Sequence, residues 1–372
     1  MSGLGQRQAN GFLFMEKLRI AEVGTIWETT PPELYGGTER VVSELTEALA
    51  AMGHDVTLFA TGDSKTSAKL SSTYPRAAYR DGISWENFLY PLQHISEPFL
   101  RAKEFDIIHV HLNRSQDYVA LPMSRLVKTP TVFTLHFQLP TTEEIGRKDR
   151  RMFLEQYRDC NFISISNAQR TMDLNYVATV YNGLDFSNFI PRGNEPREYL
   201  AWIGRFCHEK GAREAIETAK RSGQPIILAG KIDRQKKEYL EYYEKYIEPE
   251  IDGKQVKYIG EVNDVQKIEL LQRAIALINP INWNEPFGLT MIEAMAMGVP
   301  VIAIDRGPVR EIVKEGETGF IVKNVTEMVR AVGRISELDR SKIHTHSLSH
   351  FSAQTMALNY VDVFRRLVKV KR

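Results

Sequence analysis

The stretch NEPFGLTMIEAMAMGVPVIA, residues 284–303, decides the fold. Its middle part is an apolar helical segment in which Thr290 and Glu293 are the two polar residues. Gly298 separates this segment from a strand-like Val-Pro-Val-Ile-Ala run. A buried helix that leads directly into a buried strand is typical of an α/β sheet whose two faces are covered.

The start of this helix has the features of an anion-binding site. Pro286 favours an extended conformation at Glu285, so we expect the helix to begin after Pro286. Gly288 permits a close approach of the backbone to a ligand. The amides of Gly288, Leu289 and Thr290 have no partner within a helix that starts here, and they point outward. Such free amides, together with the helix dipole, bind anions.

Glu293 raises a question, because a carboxylate in a buried helix costs free energy unless a partner compensates its charge. Thr290 and Glu293 share one face of the predicted helix. The hydroxyl groups of a ligand could be the partner of Glu293, and so could an internal lysine or arginine. The nearby Glu285 and Gly288 favour a ligand site over a purely structural ion pair.

Short β-branched runs alternate with helical patterns along the chain, on both sides of a linker rich in Gly, Asn and Pro at 181–196. The predicted strands before the linker are 17–23, 55–60, 106–112, 131–136, 161–166 and 178–182. Those after it are 199–204, 225–230, 256–260, 275–279, 299–304 and 319–322. A helical pattern at 38–54, with Thr38 as its N-cap, is one of the segments between strands. Repeated strand–helix–strand order predicts parallel sheets with helices on both faces.

A chain of 372 residues is too long for one compact core, so we predict two domains. The first is a Rossmann-like domain over residues 1–183, in which 1–16 form a loose extension. The second is a Rossmann-like domain over 184–351, and a helix at 352–372 crosses back to the first domain. Parallel sheets bind ligands at the carboxyl ends of their strands, so two facing domains form a cleft between them.

The composition is that of an ordinary soluble enzyme, with 43% hydrophobic residues, 26% charged residues and a net charge of +1. This balance gives no support to a nucleic-acid partner. No apolar run is long enough to span a bilayer, and the N-terminal residues lack the pattern of a secretion signal. The two cysteines, Cys160 and Cys207, indicate a reducing compartment, so we expect a cytoplasmic protein.

Two cations follow the first predicted strand of the second domain. The strand ends at Gly204, and Arg205 and Lys210 lie in the loop before Gly211 and the next helix. A guanidinium group and an ammonium group at this edge of a parallel sheet are suited to a diphosphate. A pair of solvated loop cations remains the alternative.

Two features of the first domain also follow strands. Gly36 and Gly37 allow close approach to a ligand, although an isolated glycine pair is more often only a turn. His136 ends a predicted strand, where an imidazole can bond a sugar hydroxyl. His109 and His111 share one strand face, and we interpret them as core or cleft histidines, because no third metal ligand lies at typical spacing.

Several motifs are missing from the sequence. It contains no Asp-x-Asp pair for a divalent ion on a nucleotide diphosphate, no phosphate loop and no nucleophile elbow. A departing diphosphate would therefore be neutralised by Arg205, Lys210 and helix amides. We expect no cofactor and no metal requirement.

The pattern E-P-F-G-L-x-x-x-E-A-M-A-x-G-x-P-V-I resembles the E-x7-E signature of the retaining glycosyltransferases of family 4, which have the GT-B fold. GRFCHEKG, YGGTERVV, DIIHVH, VYNGLD and GETGFIV are similar to other segments of that family and occur in its order. The resemblance extends from about Leu18 over nearly the whole chain. It departs at Ala353, where the family often has a tryptophan, and this leaves the packing of the C-terminal crossover open.

The resemblance implies a role for each candidate residue. Arg205 and Lys210 would hold the donor diphosphate with the amides at the start of the helix, Glu293 would bind the ribose, and Glu285 would face the transferred sugar. The implied catalytic residues are Glu285, His136, Arg205 and Lys210. The implied donor-binding residues are Arg205, Lys210, Val262, Glu285, Phe287, Gly288, Leu289, Thr290, Glu293, Gly36 and Gly37, and none is a metal ligand.

The implied reaction is the transfer of a hexosyl unit from a nucleotide-diphosphate sugar to an acceptor hydroxyl with retained configuration. UDP-glucose is the favoured donor and GDP-mannose the next. A front-face mechanism is favoured, because no nucleophile is evident. The acceptor is expected to be a small soluble molecule or a glycan, because the first helix has Glu39, Glu44 and Glu47 against Arg40 and so does not indicate membrane association.

Two alternatives remain open. A sugar-nucleotide 2-epimerase or a phosphorylase could have the same fold, although no lysine that would anchor pyridoxal phosphate is identified. A sugar-nucleotide binding protein without catalysis is the second alternative. Release of free nucleotide in the presence of an acceptor distinguishes a transferase from both an epimerase and a binding protein.

Overall fold

A computed structural model describes residues 16–34, 36–84, 86–142, 144, 147–191, 196–234 and 236–370. The predicted N-terminal extension lies outside these residues, apart from Glu16. Part of the predicted linker, 192–195, also lies outside them. Among the residues described, no helix is both long enough and apolar enough to span a membrane.

The first sheet has seven parallel strands, and helices lie between them. The strands are β1 (Arg19–Val23), β2 (Asp55–Phe59), β3 (Lys69–Ser71), β4 (Ile107–Leu112), β5 (Thr131–Leu135), β6 (Asn161–Ser164) and β7 (Tyr176–Thr179). The helices are α1 (Gly37–Ala51), α2 (Leu89–Leu100), α3 (Ala120–Ser124) and α4 (Lys148–Gln156). The spatial order is β3-β2-β1-β4-β5-β6-β7. Strands β2 and β3 therefore lie on one side of β1, and strands β4 to β7 lie on the other side.

The second sheet has six parallel strands in the order β10-β9-β8-β11-β12-β13. These strands are β8 (Tyr199–Ile203), β9 (Ile226–Ala229), β10 (Val256–Tyr258), β11 (Ala274–Asn279), β12 (Val301–Ile304) and β13 (Gly319–Val322). Its helices are α5 (Ala212–Ser222), α6 (Lys237–Tyr246), α7 (Asp264–Gln272), α8 (Leu289–Ala296), α9 (Val309–Ile312), α10 (Val325–Val332) and α11 (Arg340–Phe351). The two halves confirm the α/β fold of two Rossmann-like domains.

The chain crosses between the domains at two points that are bonded to each other. Leu184 N–H donates to Phe351 O at 3.0 Å, and Ala353 N–H donates to Leu184 O at 2.8 Å. After the second crossing, α12 (Ala353–Val370) packs on the first domain, where Tyr360 and Phe364 share a core with strands β1, β4 and β5. The two crossings therefore form one joint between the domains.

Three details differ from the sequence predictions. Helix α1 begins at Gly37, and Gly36 occupies the N-cap position, so the N-cap predicted at Thr38 is wrong. Strand β7 ends at Thr179 and not at 182. Strand β3 was missed, because it is only three residues long and two of the three are exposed. A short exposed edge strand lacks the apolar pattern by which strands are found.

Candidate active site

The candidate catalytic groups of the second domain meet at the carboxyl edge of its sheet. Strands β8 and β11 are adjacent and parallel, so the loops that follow them lie side by side. In these loops the Lys210 ammonium contacts the Glu285 carboxylate, and the two side chains are 21% and 18% exposed. The Trp283 ring centroid lies 6.0 Å from Lys210 Nζ. The structure therefore brings together a cation and a carboxylate that are far apart in the sequence.

Backbone contacts hold the two loops together. Asn282 N–H donates to Glu209 O at 3.0 Å, and the Asn282 side-chain amide donates to His208 O at 2.9 Å. Gly211 has φ +69°, and a Cβ at this position would lie 2.3 Å from Pro280 O. Only glycine fits such a left-handed turn against a neighbouring backbone. The loop that carries Lys210 is thus held by its contacts with the loop after β11.

The start of helix α8 completes this part of the site. Gly288 has φ +117° and precedes the first helical residue, Leu289, as the sequence predicts. An ideal Cβ on Gly288 would lie 3.7 Å from the Glu285 carboxylate, so that carboxylate lies beside the N-terminus of the helix. The amides of Leu289 and Thr290 belong to the first turn, which has no intrahelical acceptors for them. The site therefore combines an ammonium group, a carboxylate and outward-pointing peptide amides.

Arg205 follows β8 in the same loop as Lys210. Its guanidinium carbon lies 5.7 Å from the centroid of the Tyr239 ring in α6. The backbone beside it is tightly packed, because a Cβ on Gly230 would lie 1.7 Å from Gly204 O. Arg205 is thus placed at the same edge of the sheet as Lys210.

Glu293 is buried in α8, and the structure shows its partner. Lys267 Nζ in α7 lies 2.6 Å from Glu293 Oε1, and the side chains are 12% and 4% exposed. Of the two partners that the sequence left open for Glu293, an internal lysine is the one that the structure shows. A ribose that binds Glu293 would therefore share this carboxylate with Lys267 or displace the lysine.

Glycines of the first domain face this site across the cleft. Gly37 opens helix α1, and an ideal Cβ on it would lie 3.7 Å from Leu289 Cδ1 at the start of α8. A Cβ on Gly36 would lie 2.7 Å from Pro32 Cβ, so this turn also needs glycine. The N-termini of α1 and α8 therefore lie opposite each other.

His136 directly follows β5, and its ring is part of a hydrogen-bonded group of histidines. His136 Nε2 lies 2.8 Å from His111 Nδ1, and His111 Nε2 lies 2.9 Å from Glu22 Oε2. Burial lowers the pKa of His109, His111 and His136 to about 3, so these rings are neutral at pH 7. The interpretation of His109 and His111 as core histidines agrees with this geometry. Sequence analysis missed Glu22, because only the pairing of β1 with β4 places it beside His109.

The remaining two predicted donor contacts, Phe287 and Val262, have buried side chains in the core of the second domain. The Phe287 side chain is 3% exposed and packs against Tyr181 and Phe351, so only its backbone can face a ligand. Val262 is 9% exposed and lies just after Gly260, whose carbonyl accepts the Gly230 N–H at 2.8 Å. Val262 also lines a cavity of about 500 Å³ together with Tyr199, Ile227, Ile259, Gln266, Glu269, Leu270, Gln272 and Arg273.

Several residues that join the two domains beside the cleft were not found from the sequence. Ser166 Oγ donates to Pro286 O at 2.7 Å. The Glu311 carboxylate accepts the backbone N–H groups of Asn167 at 2.7 Å and Ala168 at 2.8 Å. These polar residues carry no pattern of their own in the sequence. They become recognisable only when the loop after β6 is seen to meet the loop after β11 and helix α9.

The glutamates of α1, from which the sequence analysis argued against membrane association, are bonded within the protein. Glu39 is 5% exposed and accepts the Thr25 hydroxyl at 2.6 Å, and Glu47 accepts the Ser67 N–H at 3.0 Å. Glu44 accepts the Asp185 N–H at 2.8 Å. All three therefore have structural partners, and their charges give no information about the acceptor.

The fold and the site together define a class of protein. Two Rossmann-like domains enclose a cleft in which a cationic loop and a helix N-terminus can hold a diphosphate, with a carboxylate beside them. This is the arrangement of a GT-B glycosyltransferase.

Comparison with known sequences identifies the family. The profile described as "Glycosyl transferases group 1" matches residues 185–350, and the profile described as "Glycosyltransferase Family 4" matches residues 35–188. The chain belongs to the group 1 glycosyltransferases. It is 25% identical to a glycogen synthase of Mycobacterium tuberculosis over 410 aligned positions, which cover 91% of this chain and 92% of the relative.

Solved structures have the same fold. Sucrose-phosphate synthase from Thermosynechococcus elongatus is similar with a TM-score of 0.74 and 21% identity, over 94% of this chain and 99% of that one. Anabaena HepE in complex with UDP-glucose is similar with a TM-score of 0.71 and 18% identity, over 94% of this chain and 100% of that one. At these identities the similarity establishes the fold alone.

Proposed function

We propose that this glycosyltransferase transfers a hexosyl unit from a nucleotide-diphosphate sugar to an acceptor hydroxyl with retention of the anomeric configuration. The observation that carries the proposal is the contact of Lys210 with Glu285 beside the N-terminus of α8. In the structure the two groups compensate each other's charge. A bound diphosphate would take over the ammonium group, which leaves the carboxylate beside the sugar.

The charges of the site fit those of the reaction. Negative charge grows on the departing diphosphate, where Arg205, Lys210 and the amides of Leu289 and Thr290 stabilise it. Positive charge grows at the anomeric carbon of an oxocarbenium-like transition state, where Glu285 stabilises it. The acceptor oxygen forms its bond on the face from which the diphosphate leaves. Its proton passes to the departing phosphate oxygen as the anomeric C–O bond breaks, so no protein nucleophile is required.

UDP-glucose is the first donor to test and GDP-mannose the second. Support for UDP-glucose comes from the similar Anabaena protein, whose structure contains it. Metal independence is proposed because the cations and helix amides already supply positive charge, and because the sequence lacks an Asp-x-Asp pair. The proposed acceptor is a small soluble molecule or a glycan, and the proposed location is the cytoplasm.

Nucleotide release from a panel of sugar nucleotides tests the function. The purified chain should release the free nucleotide with one donor, faster with an acceptor present and unchanged by EDTA. The same donor should stabilise the fold, by about 2.7 kcal/mol at 100 times its Kd. Stabilisation without any nucleotide release would indicate a binding protein instead. Loss of turnover in EDTA would contradict metal independence.

Substitutions at the ion pair test the assignment of residues. Lys210→Ala and Glu285→Gln should each lower kcat roughly 100- to 1000-fold, the usual cost of losing one electrostatic contact to a transition state. Lys220→Ala and Glu250→Gln are matched controls, because they alter an exposed Lys–Glu contact at the C-terminal end of α5, whereas Lys210 precedes the start of that helix. Unchanged turnover in both site variants, with the fold intact, would exclude the proposed site.

A further inference from the structure

A continuous chain of hydrogen bonds runs through the first domain from helix α12 to His136, which directly follows β5 at the carboxyl edge of the sheet. In order, it contains Tyr360, Thr134, His109, Glu22, His111 and His136. The Glu22, His109 and Tyr360 side chains have 0% exposure. In a buried chain of this kind, each proton position is set by its neighbours, because each neutral imidazole carries a single N–H.

The end of the chain at α12 sets the proton on His109. Thr134 Oγ1 lies 3.0 Å from the Tyr360 hydroxyl and 2.7 Å from His109 Nε2. A phenol is a stronger donor than an aliphatic hydroxyl, so we assign the Tyr360 O–H as the donor to Thr134. With this assignment, Thr134 donates its own proton to His109 Nε2. His109 therefore carries its proton on Nδ1 and donates it to Glu22, whose Oε2 lies 2.9 Å away.

The other end of this chain of hydrogen bonds links Glu22 through His111 to His136. If Glu22 is ionised, it accepts the His111 Nε2–H at 2.9 Å. His111 Nδ1 is then a lone pair and accepts the His136 Nε2–H at 2.8 Å. His136 Nδ1, the ring nitrogen outside the chain, is left without a proton. If Glu22 carried a proton, every bond from Glu22 to His136 would reverse, and His136 Nδ1 would be an N–H donor.

We propose that Glu22 is a positioning residue for His136: as an ionised acceptor it keeps the His136 proton on Nε2 and makes Nδ1 a hydrogen-bond acceptor for a hydroxyl of the donor sugar. The role toward the sugar rests on the proposed function. The arrangement of protons rests on the hydrogen-bond geometry of the buried group, with Tyr360 as the donor to Thr134 and Glu22 ionised. Burial raises the pKa of Glu22, and the hydrogen bond from His111 opposes that shift.

A metal ion is the competing explanation for part of this group. The potential ligand atoms of Glu22, His109 and His111 lie within 4.8 Å of one another. However, hydrogen bonds within the described part of the chain already engage both nitrogens of each of these two rings. Hydrogen bonds alone therefore explain the positions of the His109 and His111 rings, without a metal ion. Elemental analysis of the purified protein should find no stoichiometric metal, and a metal that is lost in Glu22→Gln would overturn the proposal.

Glu22→Gln reverses the chain without removing a side chain. The proton of His109 Nδ1 is set by Thr134 and Tyr360, so the glutamine carbonyl must accept it. The glutamine amide must then donate to His111 Nε2, which moves the His111 proton to Nδ1 and the His136 proton to Nδ1. The variant therefore mimics a protonated Glu22.

Nitrogen NMR of ring-labelled histidines measures this directly in the ligand-free protein. His136, assigned by comparison with His136→Asn, should carry its proton on Nε2 in the wild type and on Nδ1 in Glu22→Gln. His94 is the internal control, because it is buried in the same domain and bonds Gly24 O through Nε2 at 3.0 Å. Its tautomer should not change. Two results would contradict the proposed role of Glu22 even if the protein transfers sugar. One is a His136 that carries its proton on Nδ1 in the wild type, and the other is an unchanged His136 tautomer in a folded Glu22→Gln variant.

Kinetic measurements distinguish an effect of Glu22 through His136 from a merely structural role of Glu22. Glu22→Gln should lower kcat roughly tenfold, the worth of one neutral hydrogen bond. The same change in a His136→Ala background should cost no more than His136→Ala alone. An equal loss in both backgrounds would mean that Glu22 acts through the fold and not through His136. If the wild type transfers no sugar from any donor, the proposed function fails. The NMR result still decides whether Glu22 sets the tautomer of His136.

Discussion

Arg40 in the first domain and Asp264 in the second form an ion pair, with 2.6 Å between Arg40 Nη1 and Asp264 Oδ2. Lys267 Nζ lies 3.4 Å from Asp264 and 2.6 Å from Glu293. A row of alternating charges thus leads from α1, across the cleft, to the carboxylate inside α8. We infer that the charge of the predicted ribose-binding residue is coupled to the contact between the domains.

A double-mutant cycle on this pair should show the coupling. Arg40→Ala and Asp264→Asn should together cost less unfolding free energy than the sum of the two, with a coupling of about 0.2–1 kcal/mol. Half of the Asp264 side chain is exposed, so salt should weaken the coupling. Chemical denaturation at low and high salt measures it. Strict additivity at low salt would show that the pair does not hold the domains together.

Glu293→Gln should lower stability more than any change at the exposed pair. It leaves the ammonium group of Lys267, which is 12% exposed, facing a neutral amide, and breaking a buried pair costs about 3–5 kcal/mol. Asp264 beside Lys267 keeps the expected loss at the lower end of that range. The free energy of unfolding from urea titration is the measurement.

The double variant Glu293→Gln, Lys267→Met is the control for this prediction. It removes both charges, so it should recover much of the stability lost in Glu293→Gln alone. Donor affinity should stay low in both, because each lacks the predicted ribose contact. Wild-type stability of Glu293→Gln would show that the observed pair contributes little.

Gly183→Ala should damage the joint between the domains. An added Cβ would lie 2.3 Å from Ser352 O and 2.9 Å from Met356 Cβ. The backbone cannot easily move away, because Leu184 is bonded to both Phe351 and Ala353. Overpacking of this kind costs about 1–3 kcal/mol.

Thermal unfolding and limited proteolysis at the joint measure the effect of Gly183→Ala. Gly333→Ala is the matched control, since its nearest neighbour is Arg330 O at 3.4 Å and its φ is negative. We expect a clear loss of Tm in the first variant and little change in the second. Equal Tm values would mean that the joint adapts to the added methyl group.

Glu44 should make stability depend on pH near neutrality. Burial raises the pKa of Glu44 from 4.5 to about 7 in the folded chain. The folded state therefore holds this proton more tightly than the unfolded state. The corresponding stability is present in full below pH 4.5 and is lost as the pH rises through 7, by an amount on the order of 3 kcal/mol.

Glu44→Gln isolates this contribution, because glutamine cannot ionise. Buried histidines such as His94, whose pKa burial lowers to about 4, act in the opposite direction and destabilise the fold below pH 6.5 in both proteins. The difference in unfolding free energy between wild type and variant should therefore move in favour of the variant between pH 5 and 8. A difference independent of pH would mean that Glu44 titrates normally.

The strand pattern predicted most of the architecture, because parallel strands buried on both faces leave long β-branched runs. Helix α8 was found at Leu289, one residue after the predicted glycine, since Pro286 and Gly288 act locally on the backbone. The roles of charged groups were harder to predict. The carboxylates of Glu22 and Glu39 are both buried, and no local pattern distinguishes them from solvated ones.

The amino-acid sequence by itself determined the two parallel sheets, the start of α8 and the chemical types in the cleft, because these depend on local propensities and on periodicity. Only the tertiary structure decided the partners: Lys210 for Glu285, Lys267 for Glu293, and Glu22 for the histidines. A charge finds its partner across strands and helices that are far apart in the chain. Folding alone brings those elements within a few ångströms of one another.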